Sequence, residues 1–585
     1  MLQHIRTILQ NNISQSLQKL QVAILPKDII LYHTKPDFEG DFTFNVFPYI
    51  KQTNTKPQAL AHHIGNELLA QKYVEKFNVI NGFLNFVILD SYWIESINVL
   101  INNPLQYYFN NNIRTIVIEF CGPNTNKPLH LGHLRTIFLG QSMSNILKVG
   151  GHNVSNVNIF NDRGIAISKS MLAWQKCFAS ETPETLGMKS DHFVGLCYVT
   201  FDMAMKKESE ALKIEQKETT WYKEAQTMVI SWENDDENIR TQWRQMNQWF
   251  YDGFYTSIQP LNIHFDKHYY ESETYSYGRE LVKNGLLKKQ FAQKNNGAIV
   301  ADLTEFGLDE KVLLRSDGTS VYLTQDLGTN NVRHNEFQAD QYIYVVANEQ
   351  NYHFKILAKC LVKLEKSYAD SIFHLSYGLV ELPNGRMKSR EGTVVDADDL
   401  MTEMTKTARD YIHSLGKLAH LDSELLLDIQ QKIGLAALKY HVLKVQPTKN
   451  MIFNPEESID FIGHTGPFIL YAYVRIQSLL LKSQKLEHTA TNHNQKYFAL
   501  HTSERKLIIL LNELDVMVTE SIAQYDPSII ANYCYQIAKS FNQFYHDCPI
   551  LHSEFVAFRL DLSQLTANVL RQTLEWLGID VVEQM

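Results

Sequence analysis

Two histidines three residues apart lie in the chain's most informative segment, EFCGPNTNKPLHLGHLR, which spans 119–135. The apolar run before it predicts a buried strand over Thr115–Phe120, and the apolar periodicity after it predicts a helix. His130 and His133 would then lie together at a helix start, whose free backbone N–H groups attract phosphate. Gly132 lets a ligand approach the backbone closely. These residues predict a nucleotide-binding site.

A histidine pair at this spacing is weak evidence by itself. It could bind zinc, but no CxxC or carboxylate cluster lies near it to complete a ligand set. Far downstream, however, the chain reads GRMKSREGT at 385–393. The two segments resemble the HIGH and KMSKS signatures of class I aminoacyl-tRNA synthetases, in the family's order. The resemblance implies that an amino acid attacks the α-phosphate of ATP and that its acyl group then passes to the terminal ribose of tRNA.

This reaction depends on positioning and charge stabilisation more than on a covalent nucleophile. The resemblance makes His130, Gly132 and His133 candidate contacts of ATP, with His130, His133 and Lys127 as catalytic candidates. The downstream loop adds four candidates for ATP contact or catalysis: Met387, Lys388, Ser389 and Arg390.

The downstream loop departs from the KMSKS consensus, because Ser389 occupies the position of the second lysine. Arginyl-tRNA synthetases commonly lack that lysine and carry one upstream, in a PNxxKxxHxGH loop. Lys127 occupies this upstream position. The resemblance therefore points to the arginyl-tRNA synthetase family, and it implies that arginine activation requires bound tRNA.

A guanidinium substrate needs carboxylates that accept paired N–H donors in a cleft sheltered from water. Glu119 ends the first predicted strand, at the edge where doubly wound sheets bind ligands. The segment SDGTSVYLTQD at 316–326 resembles the family's SDGT-x-x-YLT-x-D, and VVANEQNYH at 345–353 resembles its V-x-x-x-Q-x-x-H. The resemblance thus implies an arginine-binding set: Glu119, Asn124, Tyr322, Asp326 and Gln350.

Hydrophobic periodicity predicts a multidomain α/β plus all-α protein. Residues 1–110 predict an N-terminal α+β domain. Residues 111–400 predict a Rossmann-like, doubly wound parallel catalytic domain with a helical insertion at about 170–260. Residues 401–585 predict a helical domain, and the family resemblance implies that an anticodon-binding bundle begins at about 455.

Individual elements can also be predicted. Asn81-Gly82 indicates a hairpin between Phe77–Ile80 and Phe83–Ile88. The predicted strands of the central region are Thr115–Phe120, Val154–Phe160, Ala298–Leu303, Val312–Arg315, Ser320–Thr324, Tyr342–Val346 and Leu375–Glu381. The predicted C-terminal helices are Ser423–Val445, Phe468–Lys482, Glu504–Ser521 and Pro527–Tyr545.

Two C-terminal segments extend the resemblance: DFIGHTGPFILYAY at 460–473 and LGIDVVEQM at 577–585. His464 stands where the family has asparagine, and Gln584 where it has arginine. Anticodon bases are usually stacked on aromatic rings and read at their edges. Tyr545 and Met585 are therefore candidate tRNA contacts.

The N-terminal region carries a shorter match, NGFLNF at 81–86, which resembles the family's G-P-G-F-I-N-F. The resemblance implies a domain that binds the corner of tRNA. Phe83 and Asn85 are candidates for contact with its D-loop.

Composition limits the remaining possibilities. A chain of 585 residues is too long for one core, and its six scattered cysteines suit free thiols in a reducing cytoplasm. A net charge of −9 argues mildly against a general nucleic-acid binder but permits basic patches. The resemblance implies a cytoplasmic monomer that uses ATP with Mg²⁺, L-arginine and tRNA(Arg), with no structural zinc and no membrane partner.

Three alternatives stay open. The substrate of a class I enzyme could be glutamate or lysine. Carboxylates at 119 and 326 disfavour glutamate, whereas lysine lacks the planar fork that two carboxylates could hold. An inactive paralogue could bind RNA as a scaffold, although it would have no reason to keep all the candidate residues. A zinc hydrolase built on His130 and His133 is the third, and metal analysis would test it.

Overall fold

The structure, a computed structural model, describes most of the chain in two compact units. The described residues are 2–35, 37–102, 112–382, 385–386, 395–415, 422–458, 460, 463–485 and 498–585. The first unit comprises Met1–Tyr108, Tyr471–Thr519 and Tyr533–Gln572, and the second comprises Phe109–Leu470, Glu520–Asn532 and Thr573–Met585.

An antiparallel four-stranded sheet lies in the N-terminal part of the first unit. In spatial order its strands are Leu31–His33, Phe42–Asn45, Phe83–Ile88 and Val74–Ile80. Asn81 and Gly82 join the last two strands with φ angles of 52° and 82°, the left-handed pair that a tight hairpin requires. The predicted hairpin is confirmed. The helices of this part are Leu2–Lys19, Ile50–Thr53, Pro57–Leu69 and Asp90–Asn102.

The C-terminal part of the described chain is helical. Its helices are Gly466–Lys485, Thr502–Leu511, Leu514–Gln524, Ser528–Asp547 and Val556–Trp576. The predictions over Phe468–Lys482 and Pro527–Tyr545 are confirmed. The single helix predicted over Glu504–Ser521 is wrong, because the chain breaks after Leu511. Asn512 caps the first of the two helices there, and its side-chain amide donates to the Ile508 carbonyl at 2.9 Å.

A parallel five-stranded sheet forms the centre of the second unit. Its strands in spatial order are Lys267–Tyr270, Asn153–Phe160, Thr115–Glu119, Gln341–Ala347 and Ile372–Tyr377. All neighbours are parallel, so the predicted Rossmann-like sheet is confirmed. The strand order reverses between Thr115–Glu119 and Gln341–Ala347. Doubly wound sheets bind ligands beyond the carboxyl ends of the strands at such a reversal.

Other predicted strands have different outcomes. Ile299–Ala301 and Lys311–Leu314 are strands, but they form a separate antiparallel sheet with Ala292–Gln293. The strand predicted over Ser320–Thr324 is wrong, because a helix begins at Tyr322. The Thr324 hydroxyl donates to a strand carbonyl, so the segment packs against that sheet without joining it.

The strand predicted over Leu375–Glu381 is interrupted. It begins earlier, as Ile372–Tyr377, and then breaks at Gly378, whose N–H donates to the Pro447 carbonyl at 2.9 Å. The chain resumes as Val380–Leu382 and pairs with Met451–Ile452 in another sheet.

The segment that follows the second strand of the parallel sheet is helical, as predicted. Its helices are Ile165–Cys177, Ser190–Leu212, Thr220–Glu233 and Glu237–Ile258. Buried aromatic rings hold them together, with Trp249 in edge-to-face contact with Trp174 and Phe193. The remaining long helices of the second unit are Leu131–Val149, Glu271–Leu287, Tyr322–Phe337, Asn351–Lys363, Ala397–Leu415 and Ser423–Leu443. Within the described ranges, none of the helices combines the length and apolar character needed to cross a bilayer.

One arginine ties the N-terminal sheet of the first unit to a C-terminal helix. The Arg505 guanidinium donates to both Asp41 oxygens, at 3.0 and 2.7 Å, and also to Asp90 and the Ile88 carbonyl. Asp41 in turn accepts the Ile88 N–H at 2.6 Å. A planar fork with several fixed donors suits this convergent arrangement. Its removal would leave two carboxylates without their counter-charge.

We therefore expect Arg505→Ala to lower the free energy of unfolding by about 3 kcal/mol, because breaking a mostly buried ion pair leaves its partner carboxylates without a counter-charge. Chemical denaturation of the full chain measures this, and Arg409→Ala, at an exposed pair with Asp410, is the matched control. Equal losses in the two variants would contradict a stabilising role for Arg505.

Candidate active site

The helix that follows the first parallel strand begins with a reciprocal pair of histidine hydrogen bonds. His130 caps the helix Leu131–Val149, and its Nδ1 accepts the Gly132 N–H at 3.1 Å. The Nδ1 of His133 accepts the His130 N–H, also at 3.1 Å. The two rings lie 3.9 Å apart between centroids. Capping thus brings together the two side chains that the sequence predicts at the nucleotide site.

These bonds decide where the imidazole protons lie. A backbone N–H can only donate, so each Nδ1 must carry a lone pair and each neutral ring must carry its proton on Nε2. Burial and then Lys127, opposed by Asp396, together lower the pKa of His130 to about 4. Burial, His130 and Lys127 hold the pKa of His133 well below its usual range. The pair therefore offers two neutral Nε2–H donors.

The chain just after the KMSKS-like loop runs beside this pair. The Leu131 N–H donates to the Val395 carbonyl at 3.1 Å, and the Ala397 N–H donates to the Leu129 carbonyl at 3.0 Å. The loop residues Met387, Lys388, Ser389 and Arg390 lie outside the described residues. The structure thus places the end of the loop segment at the histidines.

A cavity of about 320 Å³ opens next to His130. Residues from the histidine loop, the insertion and the segment after the KMSKS-like loop line it, among them Lys127, His130, His192, Val199 and Asp396. Lys127 is partly exposed at its edge.

His192, which sequence reasoning missed, lies 3.3 Å from Asp396 and 3.4 Å from Asp398. The two neighbouring carboxylates raise the pKa of His192 to about 10. Lys189 also donates to Asp398, at 2.5 Å. No local motif marks this cluster, because its residues come together only in the fold.

The carboxylate of Glu119, predicted to bind the substrate, is already paired with another residue of the protein. It forms a buried ion pair with Arg333, which sequence reasoning did not single out. Burial raises the pKa of the Glu119 carboxyl, Arg333 opposes that rise, and Asp326 adds to it. Glu119 and Asp326, predicted to act together, thus lie close enough to influence each other.

Asp326 lies near the start of the helix Tyr322–Phe337, where its Oδ2 accepts a hydrogen bond from His353 Nε2 at 2.5 Å. Both residues belong to the segments that resemble the family. Tyr322 is at the first position of the same helix and is 80% exposed. Its phenol is therefore accessible to a ligand.

Asn124 and Gln350, predicted for the α-amino end of the substrate, are both exposed. Asn124 lies in the loop after the first parallel strand, where it pairs with Asn161. Gln350 follows the neighbouring parallel strand and precedes the helix Asn351–Lys363. Both residues thus lie at the carboxyl ends of adjoining strands.

Sequence reasoning also missed a buried acid near Asp326. Glu271 is 8% exposed and accepts a hydrogen bond from Gln325 Nε2 at 2.6 Å. Burial raises the pKa of Glu271 to about 7, with Arg163 opposing and Asp326 contributing to the rise. Its position at the start of a helix gave no signal in the sequence that distinguished it from an ordinary first-turn acid.

The candidate tRNA contacts differ in accessibility. Phe83 is 41% exposed, with its ring against Phe47, and Tyr545 is likewise 41% exposed. Asn85, in contrast, is 2% exposed, and its amide bonds to Thr43 and Asn78 at 2.6 and 2.9 Å. The side chain of Asn85 is therefore committed inside the N-terminal sheet.

Arg475, another residue that sequence reasoning missed, places its guanidinium 5.4 Å from the Tyr545 ring centre and 4.7 Å from that of Tyr471. Met585 is half-buried in the second unit.

Family models match three parts of the chain. Residues 96–455 match tRNA synthetases class I (R), catalytic domain; 469–585 match the DALR anticodon binding domain; and 7–88 match the arginyl tRNA synthetase N terminal domain.

Relatives named arginine–tRNA ligase cover nearly the whole chain. The protein of Amoebophilus asiaticus is 43% identical over 100% of both chains. That of Bacteroides thetaiotaomicron is 46% identical over 98% of each.

Solved structures agree in fold. Thermus thermophilus arginyl-tRNA synthetase has a TM-score of 0.78 at 23% identity, covering 99% of this chain and 100% of its own. The Plasmodium falciparum enzyme has a TM-score of 0.76 at 20% identity, covering 100% and 99%. With a catalytic-domain model that spans more than half of its length and relatives at 43–46% identity, the chain belongs to the class I arginyl-tRNA synthetase family.

Proposed function

We propose that this protein is an arginine–tRNA ligase. It activates L-arginine with ATP to arginyl-adenylate and pyrophosphate, and it transfers the arginyl group to the 3′ end of tRNA(Arg), releasing AMP. The observation that carries the proposal is the pair of Nε2–H donors of His130 and His133 at the strand-order reversal. Acidic residues at the same reversal give the substrate side its charge preference.

In the activation step, the arginine carboxylate attacks the α-phosphate and pyrophosphate leaves. Negative charge develops on the phosphate oxygens, and His130 and His133 donate hydrogen bonds to them. Donors fixed in advance stabilise such charge without reorganising during the reaction. Lys127, with Lys388, Ser389 and Arg390, contacts the triphosphate of the ATP·Mg²⁺ substrate. Gly132 and Met387 also belong to the proposed ATP contacts.

Arginine lies with its guanidinium toward Glu119 and Asp326, whose carboxylates accept its N–H groups. The exposed phenol of Tyr322 closes one side of this part of the pocket. Asn124 and Gln350 hold the α-amino end at the neighbouring strand ends. A neutral or anionic side chain would bring no positive charge and no paired N–H donors to these two carboxylates, which disfavours its binding relative to arginine.

Residues 1–110 form the proposed tRNA-corner domain, 111–400 the catalytic domain with the insertion at about 170–260, and 401–585 the helical domain with the anticodon bundle. Phe83 and Tyr545 are the proposed stacking contacts, whereas buried Asn85 supports Phe83 through the sheet. Met585 stays a proposed contact.

We further propose a cytoplasmic monomer, whose RNA affinity falls with added salt because local cations replace counterions on the tRNA.

ATP–pyrophosphate exchange with each of the twenty amino acids, with and without tRNA, tests the proposed function. We expect exchange only with arginine and only when tRNA is present, because Ser389 replaces a consensus lysine. Exchange with another amino acid would keep the class and overturn the arginine pocket. No exchange from folded, tRNA-binding protein would favour a scaffold.

Replacing His133 by alanine removes one Nε2–H donor and the hydrogen bond that orders the helix start. We expect kcat for exchange to fall by about 10²- to 10³-fold, the usual loss for one fixed donor to developing charge. The exposed His264 supplies the control variant, His264→Ala, which should keep its rate. A near-normal rate for His133→Ala, with unchanged melting temperature, would show that this ring is not used in the reaction.

The lowered pKa values predict the pH behaviour of the free enzyme. Because folded His130 titrates at about 4 and an unfolded histidine near 6.5, the pair stabilises the fold fully above about pH 6.5, and this stability is lost as pH falls toward 4. Nitrogen-15 NMR, with His130→Asn and His133→Asn for assignment, should show both rings neutral with Nε2 protonated at pH 6. Titration of both rings near 6.5 would contradict the lowered pKa values, and protonation of Nδ1 in the neutral rings would contradict the assigned tautomers.

A further inference from the structure

A resident guanidinium lies in the crevice where the substrate's guanidinium is expected. Arg333 is carried by the helix Tyr322–Phe337, two helical turns after Asp326, so both residues lie on one face of that helix. Its side chain is 1% exposed, and its Nη2 contacts Glu119 Oε2. The helix that presents Asp326 to the substrate therefore also supplies the partner of Glu119.

Two aromatic rings enclose the Arg333 guanidinium. Its central carbon lies 4.8 Å from the ring centre of Tyr269 and 5.5 Å from that of Tyr344. Each phenol is itself held by the helix that carries Arg333, since Tyr269 donates to Glu336 and Tyr344 donates to Asn330, both at 2.5 Å. Arg333 thus lies in a rigid cage with little freedom to turn.

Stability alone does not explain this pair. Burying a guanidinium and a carboxylate carries a desolvation cost that their attraction often only balances, and apolar side chains of similar volume serve a core as well. The pair is instead located at the carboxyl end of the strand Thr115–Glu119, where the sheet order reverses. An ion pair with a high desolvation cost, at the sheet edge where such folds bind ligands, is more readily understood as part of the binding site.

The contact also divides the Glu119 carboxylate. Arg333 contacts Oε2, and the Glu119 side chain is still 14% exposed, so the carboxylate keeps room for a ligand's N–H group, which we assign to Oε1. In addition, Asp326 lies close enough to Glu119 for their charges to repel. Arg333 therefore opposes the rise in the pKa of Glu119 that burial and Asp326 cause.

We propose that Arg333 is a positioning residue for amino-acid selection, which fixes the Glu119 carboxylate with Oε1 toward the crevice for the guanidinium of the substrate. This inference rests on the proposed arginine specificity and adds to it the residue that orients the recognising carboxylate. Arg333 itself touches no reacting atom. It should therefore affect the binding of arginine and leave the handling of ATP nearly unchanged.

The test compares exchange kinetics of wild type, Arg333→Met, Arg333→Lys, Glu119→Gln and the double variant Arg333→Met/Glu119→Gln, with saturating tRNA. For Arg333→Met we expect KM for arginine to rise roughly tenfold or more, and KM for ATP to stay within about twofold. Arg333→Lys keeps the buried charge but lacks the planar fork, so its KM for arginine should also rise. It serves as the foldable replacement if the methionine variant does not fold.

The double variant separates a role through Glu119 from a general packing role. If Arg333 acts through Glu119, adding Arg333→Met to Glu119→Gln should raise KM for arginine little further, because the carboxylate it positions is already absent. Independent, multiplying effects would overturn the proposal. So would parallel rises in KM for arginine and ATP together with a lower melting temperature, which is the pattern of lost packing.

Failure of this inference is distinguishable from failure of the proposed function. If wild-type protein shows no arginine-dependent exchange, the substrate assignment itself fails. If wild type uses arginine but Arg333→Met and Arg333→Lys both keep its KM for arginine, only the role of Arg333 is overturned.

Discussion

Parallel pairing of the strand Thr115–Glu119 with its two neighbours is the constraint on which the site depends. It places the loop containing Asn124 and Lys127 beside the segment that follows Gln341–Ala347. In a doubly wound sheet, the connections that follow the two strands at the reversal, here Thr115–Glu119 and Gln341–Ala347, leave toward opposite faces. A crevice therefore opens at the carboxyl ends of these strands. The histidine cap, Glu119 and Gln350 all lie along that edge, although more than 200 residues separate Gln350 from the other two in sequence.

Electrostatics then gives the two sides of the crevice different characters. On the side proposed for the nucleotide, burial and the fixed Nδ1 acceptors keep His130 and His133 neutral, so both rings can donate hydrogen bonds from Nε2. On the side proposed for the amino acid, Arg333 pairs with Glu119 and His353 pairs with Asp326. Under the proposed function, the fold thereby presents a donor-rich side to phosphate and an acceptor-rich side to a guanidinium.

The first unit uses a comparable device for a different purpose. Arg505 gathers Asp41 and Asp90 and so joins an N-terminal sheet to a helix hundreds of residues later. In both units an arginine pairs with a carboxylate from a distant part of the chain. The two arginines differ in location, since Arg333 lies at the carboxyl-end edge of the parallel sheet, whereas Arg505 lies between packed elements of one unit.

The sequence by itself determined the class of fold, the nucleotide motif and the hairpin at Asn81-Gly82, because these depend on local periodicity and on residues adjacent in the chain. It also favoured arginine through short motifs around Tyr322 and Asp326. Local patterns misjudged Ser320–Thr324 and Glu504–Ser521, where a helix start and a capping asparagine override propensity. They also presented Asn85 as accessible, although its amide is buried. Only the tertiary structure decided the partners of Glu119, the His192 cluster and the Arg505 pairs, because those charges meet through packing of distant elements that leaves no periodic trace in the chain.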